Sequence, residues 1–280
     1  MKTRGPALLA AVALTVSLLQ GTAAADTTPN GIPSVGHAWA DRGPYDVHVD
    51  IEAVTTFYRP ADMGAHGEKH PVIIWGNGTF VVPGVYSALL RHWASHGFIV
   101  AASNSTQANT GISMRLGIDT LTRRNADPGS VYHQRVDLGR IASAGHSQGG
   151  AGAINAAVDP RVDAVVGIEP GPLTDPDLID EPTLYMAGEK DSIVFPFMVK
   201  ALYNDSDHIP AVYAELRGAD HLTAAWGGGG FRGPATAWLR HWLMDDPNAR
   251  PEFFGPSCGF CSDTRWSDWR RNTKALQIPG

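Results

Sequence analysis

From Tyr45 onward the chain alternates between two hydrophobic periods. Val47, Val49, Ile51, Ala53 and Thr55 recur at every second position, the spacing of a half-buried strand. Val72-Ile73-Ile74-Trp75 is continuously apolar and runs into Gly76-Asn77-Gly78, which reads as a buried strand meeting a turn. A helical spacing follows over 85–96 and is closed by Gly97. Next come an apolar run from Phe98 to Ala102 and a helix over 112–124. The second half keeps this rhythm, with strands over 140–144, 162–168, 183–187 and 211–216 and helices over 150–158, 197–203 and 235–244. Strands alternating with helices predict the α/β class, a mostly parallel central sheet flanked by helices on both faces. Ligands of such sheets sit outside the carboxyl ends of the strands, so the loops following the strands are where chemistry is sought.

The ends of the chain read differently. Residues 1–25 have the pattern of a secretory signal: Lys2 and Arg4, an apolar run from Ala7 to Leu19, and small residues Ala23-Ala24-Ala25 before Asp26. Residues 26–43, rich in Thr, Pro, Gly and Ser, are expected to be a poorly ordered lead-in. Residues 44–280 are then one domain with a C-terminal extension carrying Cys258 and Cys261. Of 280 residues 43% are hydrophobic, enough for a sizeable core, and the net charge is −6. Without Lys2 and Arg4 the balance is 20 basic against 28 acidic residues. That balance argues against a nucleic-acid partner, which calls for a basic surface. The expectation is a secreted monomer with no membrane contact once the signal is removed.

The most informative segment is Gly145-His146-Ser147-Gln148-Gly149, a G-x-S-x-G placed after an apolar strand and before an Ala-rich stretch. A tight strand-to-helix turn lifts the serine hydroxyl clear of the sheet, and glycines flank it because side chains would collide across the turn. An acid and a histidine should follow in that order, each at a strand end. Asp191 follows the strand over 183–187 and His221 follows the strand over 211–216. Ser147 is the candidate nucleophile, His221 its base, and Asp191 the group that fixes the imidazole tautomer. Asp175, Asp177, Asp180, Glu189, Asp220, His208 and His241 are weaker competitors by position. The oxyanion hole calls for the amide after the nucleophile, from Gln148, and one from the Gly76–Phe80 loop, from Thr79 or, one residue on, Phe80.

These segments, with Asn77-Gly78-Thr79 and the run from Ala94 to Val100, resemble the bacterial cutinases and polyester hydrolases of the α/β-hydrolase superfamily, from about Tyr45 to Met244. The resemblance implies ester hydrolysis by Ser147, Asp191 and His221, a first oxyanion donor at Thr79, and Ile193 beside the substrate groove. Three groove positions depart from that family. Gln148 replaces a methionine, Thr79 an aromatic that stacks on substrate, and Glu169-Pro170-Gly171 a Thr-Pro pair followed by an aromatic clamp, often Trp. Trp75, Phe80, Trp226 and Phe231 could supply another apolar surface, with Phe80, Ile193, Gly171 and Trp226 as candidate groove positions.

Gly227–Gly230, after the candidate histidine, reads either as a mobile rim or as an exposed linker. In an exported chain the two cysteines call for a structural disulfide rather than a redox or zinc site, because further ligands and a thioredoxin-like setting are lacking. A C-terminal disulfide is also what the resemblance implies, with its cysteines farther apart. No metal or cofactor is called for. The function predicted is a cutinase- or polyesterase-like serine hydrolase acting on a small or polymeric ester. The alternatives are a peptidase or small-ester esterase on the same fold, or a non-catalytic secreted binding protein.

Overall fold

The computed structural model describes Met1, residues 27–65 and residues 67–280, so the predicted signal lies, but for Met1, outside the described residues. Nine strands form one sheet: β1 (Val47–Ile51), β2 (Thr55–Pro60), β3 (His70–Gly76), β4 (Ile99–Ser103), β5 (Val136–His146), β6 (Ala164–Ile168), β7 (Thr183–Gly188), β8 (Ala211–Leu216) and β9 (Trp266–Arg271). Their order is β1-β2-β4-β3-β5-β6-β7-β8-β9. Strands β3 to β8 pair in parallel, and the β1–β2, β2–β4 and β8–β9 pairings at the two edges are antiparallel. The helices are α1 (Ser87–Ser95), α2 (Ile112–Ala126), α3 (Gln148–Ala156), α4 (Pro196–Asn204), α5 (Arg232–Met244), α6 (Arg250–Phe253) and α7 (Thr273–Leu276). This is the α/β-hydrolase arrangement, a mostly parallel sheet covered on both faces.

The continuous apolar runs follow from that covering. Successive strand residues point to opposite faces, so a strand buried on both needs apolar residues throughout. Ile73 and Trp75 of β3 pack with Leu89 and Trp93 of α1 and Trp238 of α5 on one face. Val72 and Ile74 pack with Met114 and Ile118 of α2 and Ile154 of α3 on the other. The segment 27–43 has little regular structure, but the expected poor order does not describe it. Ile32 and Trp39 are buried in the first core, and Arg240 donates to the Pro33 carbonyl at 2.9 Å. Two apolar anchors in an otherwise polar stretch suffice to fix it. Cys258 and Cys261 form a disulfide beside Phe260, which packs on Phe253 and Trp269.

Five buried or half-buried histidines make the fold sensitive to acid, His70 among them, its imidazolium disfavoured by burial like the others. Burial holds His146, His96 and His241 down at about 4 and His92 at about 3, because the interior disfavours the imidazolium. The unfolded chain binds these protons at the ordinary value near 6.5, so stability is fully present above about pH 6.5 and is lost as pH falls toward 4. Glu169, pushed up by burial to about 8, works the other way and releases most of one proton on unfolding at pH 5. Unfolding at pH 5 should therefore take up roughly three protons net from the groups with these values, and His70 adds to that uptake. Calorimetry in buffers of different ionisation enthalpy reads that number directly, and an uptake near zero would contradict neutral burial of these rings.

Candidate active site

Strands β5, β6, β7 and β8 lie side by side, so the residues that follow them meet at one edge of the sheet. Ser147 follows β5 directly, with φ 59° and ψ −122°, a conformation that L-residues rarely adopt. The turn exists because its glycines touch. A Cβ on Gly145 would lie 2.0 Å from the Gly149 carbonyl oxygen, and one on Gly149 would lie 2.1 Å from that of Gly76. The Ser147 amide donates to Ile168 O at 2.9 Å, which locks the turn to β6.

His221 Nε2 lies 2.9 Å from Ser147 Oγ, and its Nδ1 lies 2.7 Å from Asp191 Oδ2. The other carboxylate oxygen of Asp191 accepts from the amides of Ile193 and Val194 at 2.8 and 2.9 Å. With its lone pairs so engaged, the carboxylate can only accept from His221. Nδ1 therefore carries the proton and Nε2 is left to accept from the serine hydroxyl. Asp191 and His221 are buried while Ser147 is half-buried at the surface. Such a set can pass a proton from serine to imidazole and back.

The loop after β3 lies against the serine: a Cβ on Gly78 would sit 3.6 Å from Ser147 Cβ. Asn77 fixes this loop, accepting from Trp75 Nε1 and donating to the Ser103 carbonyl. The Phe80 amide is taken by Thr106 O at 3.2 Å, which leaves the Thr79 amide as the remaining candidate of the two. The Gln148 carboxamide turns away to the next loop, accepting from the Ala108 amide and donating to Gln107, each at 2.9 Å.

Of the residues offered for an apolar surface, Phe80 and Trp226 are exposed, as are Ile193 and Leu222. Trp75 and Phe231 are fully buried and belong to the core, so they cannot meet substrate. Gly171 leaves open space beside the nucleophile: a Cβ there would meet nothing nearer than Ser147 O at 3.8 Å. The glycine run after Trp226 is not a loose rim. Trp226 donates to Val85 O at 2.9 Å and accepts from the Leu89 amide at 3.1 Å. Added Cβ atoms on Gly228, Gly229 and Gly230 would meet Leu89, Thr223 and Leu216 at 2.7–2.8 Å. The glycines there serve close packing.

The competing residues have other partners. Glu189 accepts from the Gly218 amide, Asp220 from the Leu222 amide and Thr223, and His208 lies 2.8 Å from the Ile179 carbonyl. His241 packs against Trp242 and Phe254.

A second buried network was not evident from the residue pattern. His146, the residue before the nucleophile, has Nδ1 2.8 Å from the Tyr86 hydroxyl. Its Nε2 lies 3.0 Å from both Glu169 Oε2 and the His221 carbonyl. A carbonyl only accepts, so Nε2 carries the proton and Nδ1 accepts from Tyr86. The ligand atoms of His146, Glu169 and His221 lie within 4.8 Å of one another, close enough to share an ion. Each nitrogen is already committed to a hydrogen bond, so the cluster reads as a proton network. Glu169 follows β6, a strand-end position like that of Asp191. That signal could have found it, but the expected order assigns the acid to the later strand.

Residues 23–272 match the model of the PET hydrolase-like family. The chain is 30% identical over 178 residues to cutinase est2 of Thermobifida alba, covering 61% of this chain and 59% of that one. It is 26% identical over 241 residues to a bis(hydroxyethyl) terephthalate hydrolase of Streptomyces coelicolor, covering 74% of each. Against cutinase cut1 of Thermobifida fusca it is 29% identical over 177 residues, 58% of this chain and 55% of that one. The chain thus spans less than two thirds of the length of the cutinases it matches. The family match, in contrast, covers nearly the whole sequence, and the chain belongs to the PET hydrolase-like family.

Proposed function

We propose that this protein is a serine carboxylic-ester hydrolase that works through an acyl-enzyme and acts outside the cell. The observation that carries the reading is the continuous relay from Ser147 Oγ through His221 to Asp191, at 2.9 and 2.7 Å. The Ser147 hydroxyl proton passes to His221 Nε2 as Oγ bonds to the ester carbon and the carbonyl electron pair moves onto oxygen. The amides of Thr79 and Gln148 hold that oxyanion. His221 then gives its proton to the leaving alcohol as the carbon–oxygen bond breaks. A water follows, losing its proton to His221 while its oxygen attacks the acyl carbon, and the proton returns to Ser147 Oγ as the acid departs.

The exposed Phe80, Ile193, Leu222 and Trp226 favour an apolar ester, dissolved or on a polymer surface. The terephthalate ester hydrolase among the relatives agrees with that class. Export is supported by the pattern of residues 1–25, and among the described residues no helix is long and apolar enough to cross a membrane.

A panel of p-nitrophenyl butyrate, bis(hydroxyethyl) terephthalate, an amide analogue and polyester film tests this proposal, alongside labelling by a fluorophosphonate. The expected result is covalent labelling at Ser147 and turnover of both soluble esters, with slower release from film and no cleavage of the amide. Amide cleavage at a rate matching the ester would favour a peptidase. An unlabelled Ser147 in folded protein would favour a binding protein.

A further inference from the structure

Glu169 is fully buried, yet nothing in the relay from Ser147 to Asp191 uses it. It sits at the end of β6, between the strand that carries the nucleophile and the strand that carries Asp191. Its Oε2 accepts from His146 Nε2 at 3.0 Å and lies 3.8 Å from His221 Nδ1, the atom that Asp191 holds at 2.7 Å. Its Oε1 is buried with no hydrogen-bond partner among the described residues. One hydrogen bond from His146 would be met as well by an amide oxygen, and burying an ionisable group with an idle oxygen is costly whichever form it takes. The backbone adds to that cost, since Glu169 has φ 48°. Among the described residues six non-glycines have positive φ, and four of them are Phe80, Ser147, Glu169 and Trp226, all at this site. Strain and desolvation are concentrated where the chemistry is.

We propose that Glu169 is a second acid for His221, a positioning residue that shares with Asp191 the stabilisation of the imidazolium formed when Ser147 gives up its proton. The inference rests on the serine ester hydrolase reading above. His146 holds the carboxyl group in place, and Tyr86 fixes the tautomer that lets it do so. Glycine at 188 leaves the space that the carboxyl occupies beside β7, because a Cβ there would lie 2.6 Å from Oε1.

The groups facing Glu169 set when it acts. They are His146 from the end of β5, with Tyr86 behind it, Asp191 from the loop after β7, and His221 and Asp220 from the loop after β8. Burial and then the Asp191 charge push Glu169 up to about 8, and the nearby His221 opposes them. Below that pH Glu169 is a neutral acid and Asp191 alone faces the imidazolium. Above it a second negative charge lies 3.8 Å from Nδ1. Activity should therefore rise in alkali as Glu169 ionises.

The test uses the full chain with Glu169→Gln, Asp191→Asn and the double variant. Glutamine keeps an oxygen for His146, so a purely structural role survives that change. The wild-type His221 ring, followed by NMR from about pH 5 to about pH 10, should shift in two steps, and E169Q should remove the alkaline one. On p-nitrophenyl butyrate at about pH 9, where Glu169 is ionised, D191N should lose roughly 100-fold in kcat/KM, against about 10⁴-fold where no second acid stands by. Adding E169Q to D191N should lose at least a further tenfold. A single step in the wild-type titration overturns the proposal even if E169Q does not fold. So does a double variant no worse than D191N. Because the NMR arm needs no turnover, an inactive wild type with a two-step His221 refutes the esterase reading alone.

Discussion

Ser147→Ala should lower kcat/KM on a soluble nitrophenyl ester by roughly 10⁵- to 10⁶-fold, while leaving the melting temperature within a few degrees. Alanine keeps the backbone strain at φ 59° and removes only the hydroxyl that His221 Nε2 faces at 2.9 Å. What rate remains comes from the oxyanion amides and from binding. Ser147→Gly separates chemistry from strain at the same position. Glycine adopts positive φ without steric cost, so this variant should be equally inactive but more stable than S147A by about 1 kcal/mol. Paired kinetics and thermal unfolding of the two variants check both halves. A retained rate in S147A would remove the nucleophile, and equal stability of S147A and S147G would remove the strain.

Gly149→Ala is expected to have the largest effect on the fold itself. The added methyl would lie 2.1 Å from the Gly76 carbonyl oxygen and 2.5 Å from that of Asn77, both backbone atoms with no rotamer to change. The clash can be relieved only by parting α3 from the end of β3, which moves Ser147 and the Gly76–Phe80 loop away from each other. A loss above about 3 kcal/mol follows, a fall in melting temperature of roughly 10 °C, together with loss of phosphonate labelling. Gly171→Ala is the contrast: its Cβ meets nothing nearer than 3.8 Å and should change stability little. Thermal unfolding of the two variants side by side is the measurement, and similar melting temperatures would contradict the packing argument.

How much of this could be read beforehand depends on which physical signal each element left. Strand β8 was legible to the residue, Ala211–Leu216, because it is apolar and bounded by Pro210 and Arg217-Gly218. Strand β2 was not, because Thr55-Thr56-Phe57-Tyr58-Arg59-Pro60 mixes polar and apolar residues that are all buried. Arg59 is tolerated inside because Asp50 accepts from it at 3.0 Å across the strand pair and the Pro60 and Ala61 carbonyls accept from it as well, partners that the hydrophobic pattern does not show. Strand β9, Trp266–Arg271, carries three charges and pairs at an edge, which hides it in the same way. Ser147, Asp191 and His221 could be found because each lies just beyond a strand whose apolar run was plain. Glu169 lies beyond one too, but its meaning depends on His146 and Asp191 reaching it from neighbouring strands. Composition misled at Gly227–Gly230, where small size serves contact with Leu89, Thr223 and Leu216 rather than freedom.

The anchoring of Trp226 to Val85 and Leu89 bears on how the protein meets an insoluble substrate. Held on both sides, this stretch is an anchored rim beside an accessible Ser147, so adsorption to a surface has no cover to displace there. The velocity on a sparingly soluble ester should then climb smoothly through the solubility limit, without the sudden jump of enzymes that uncover their site at an interface.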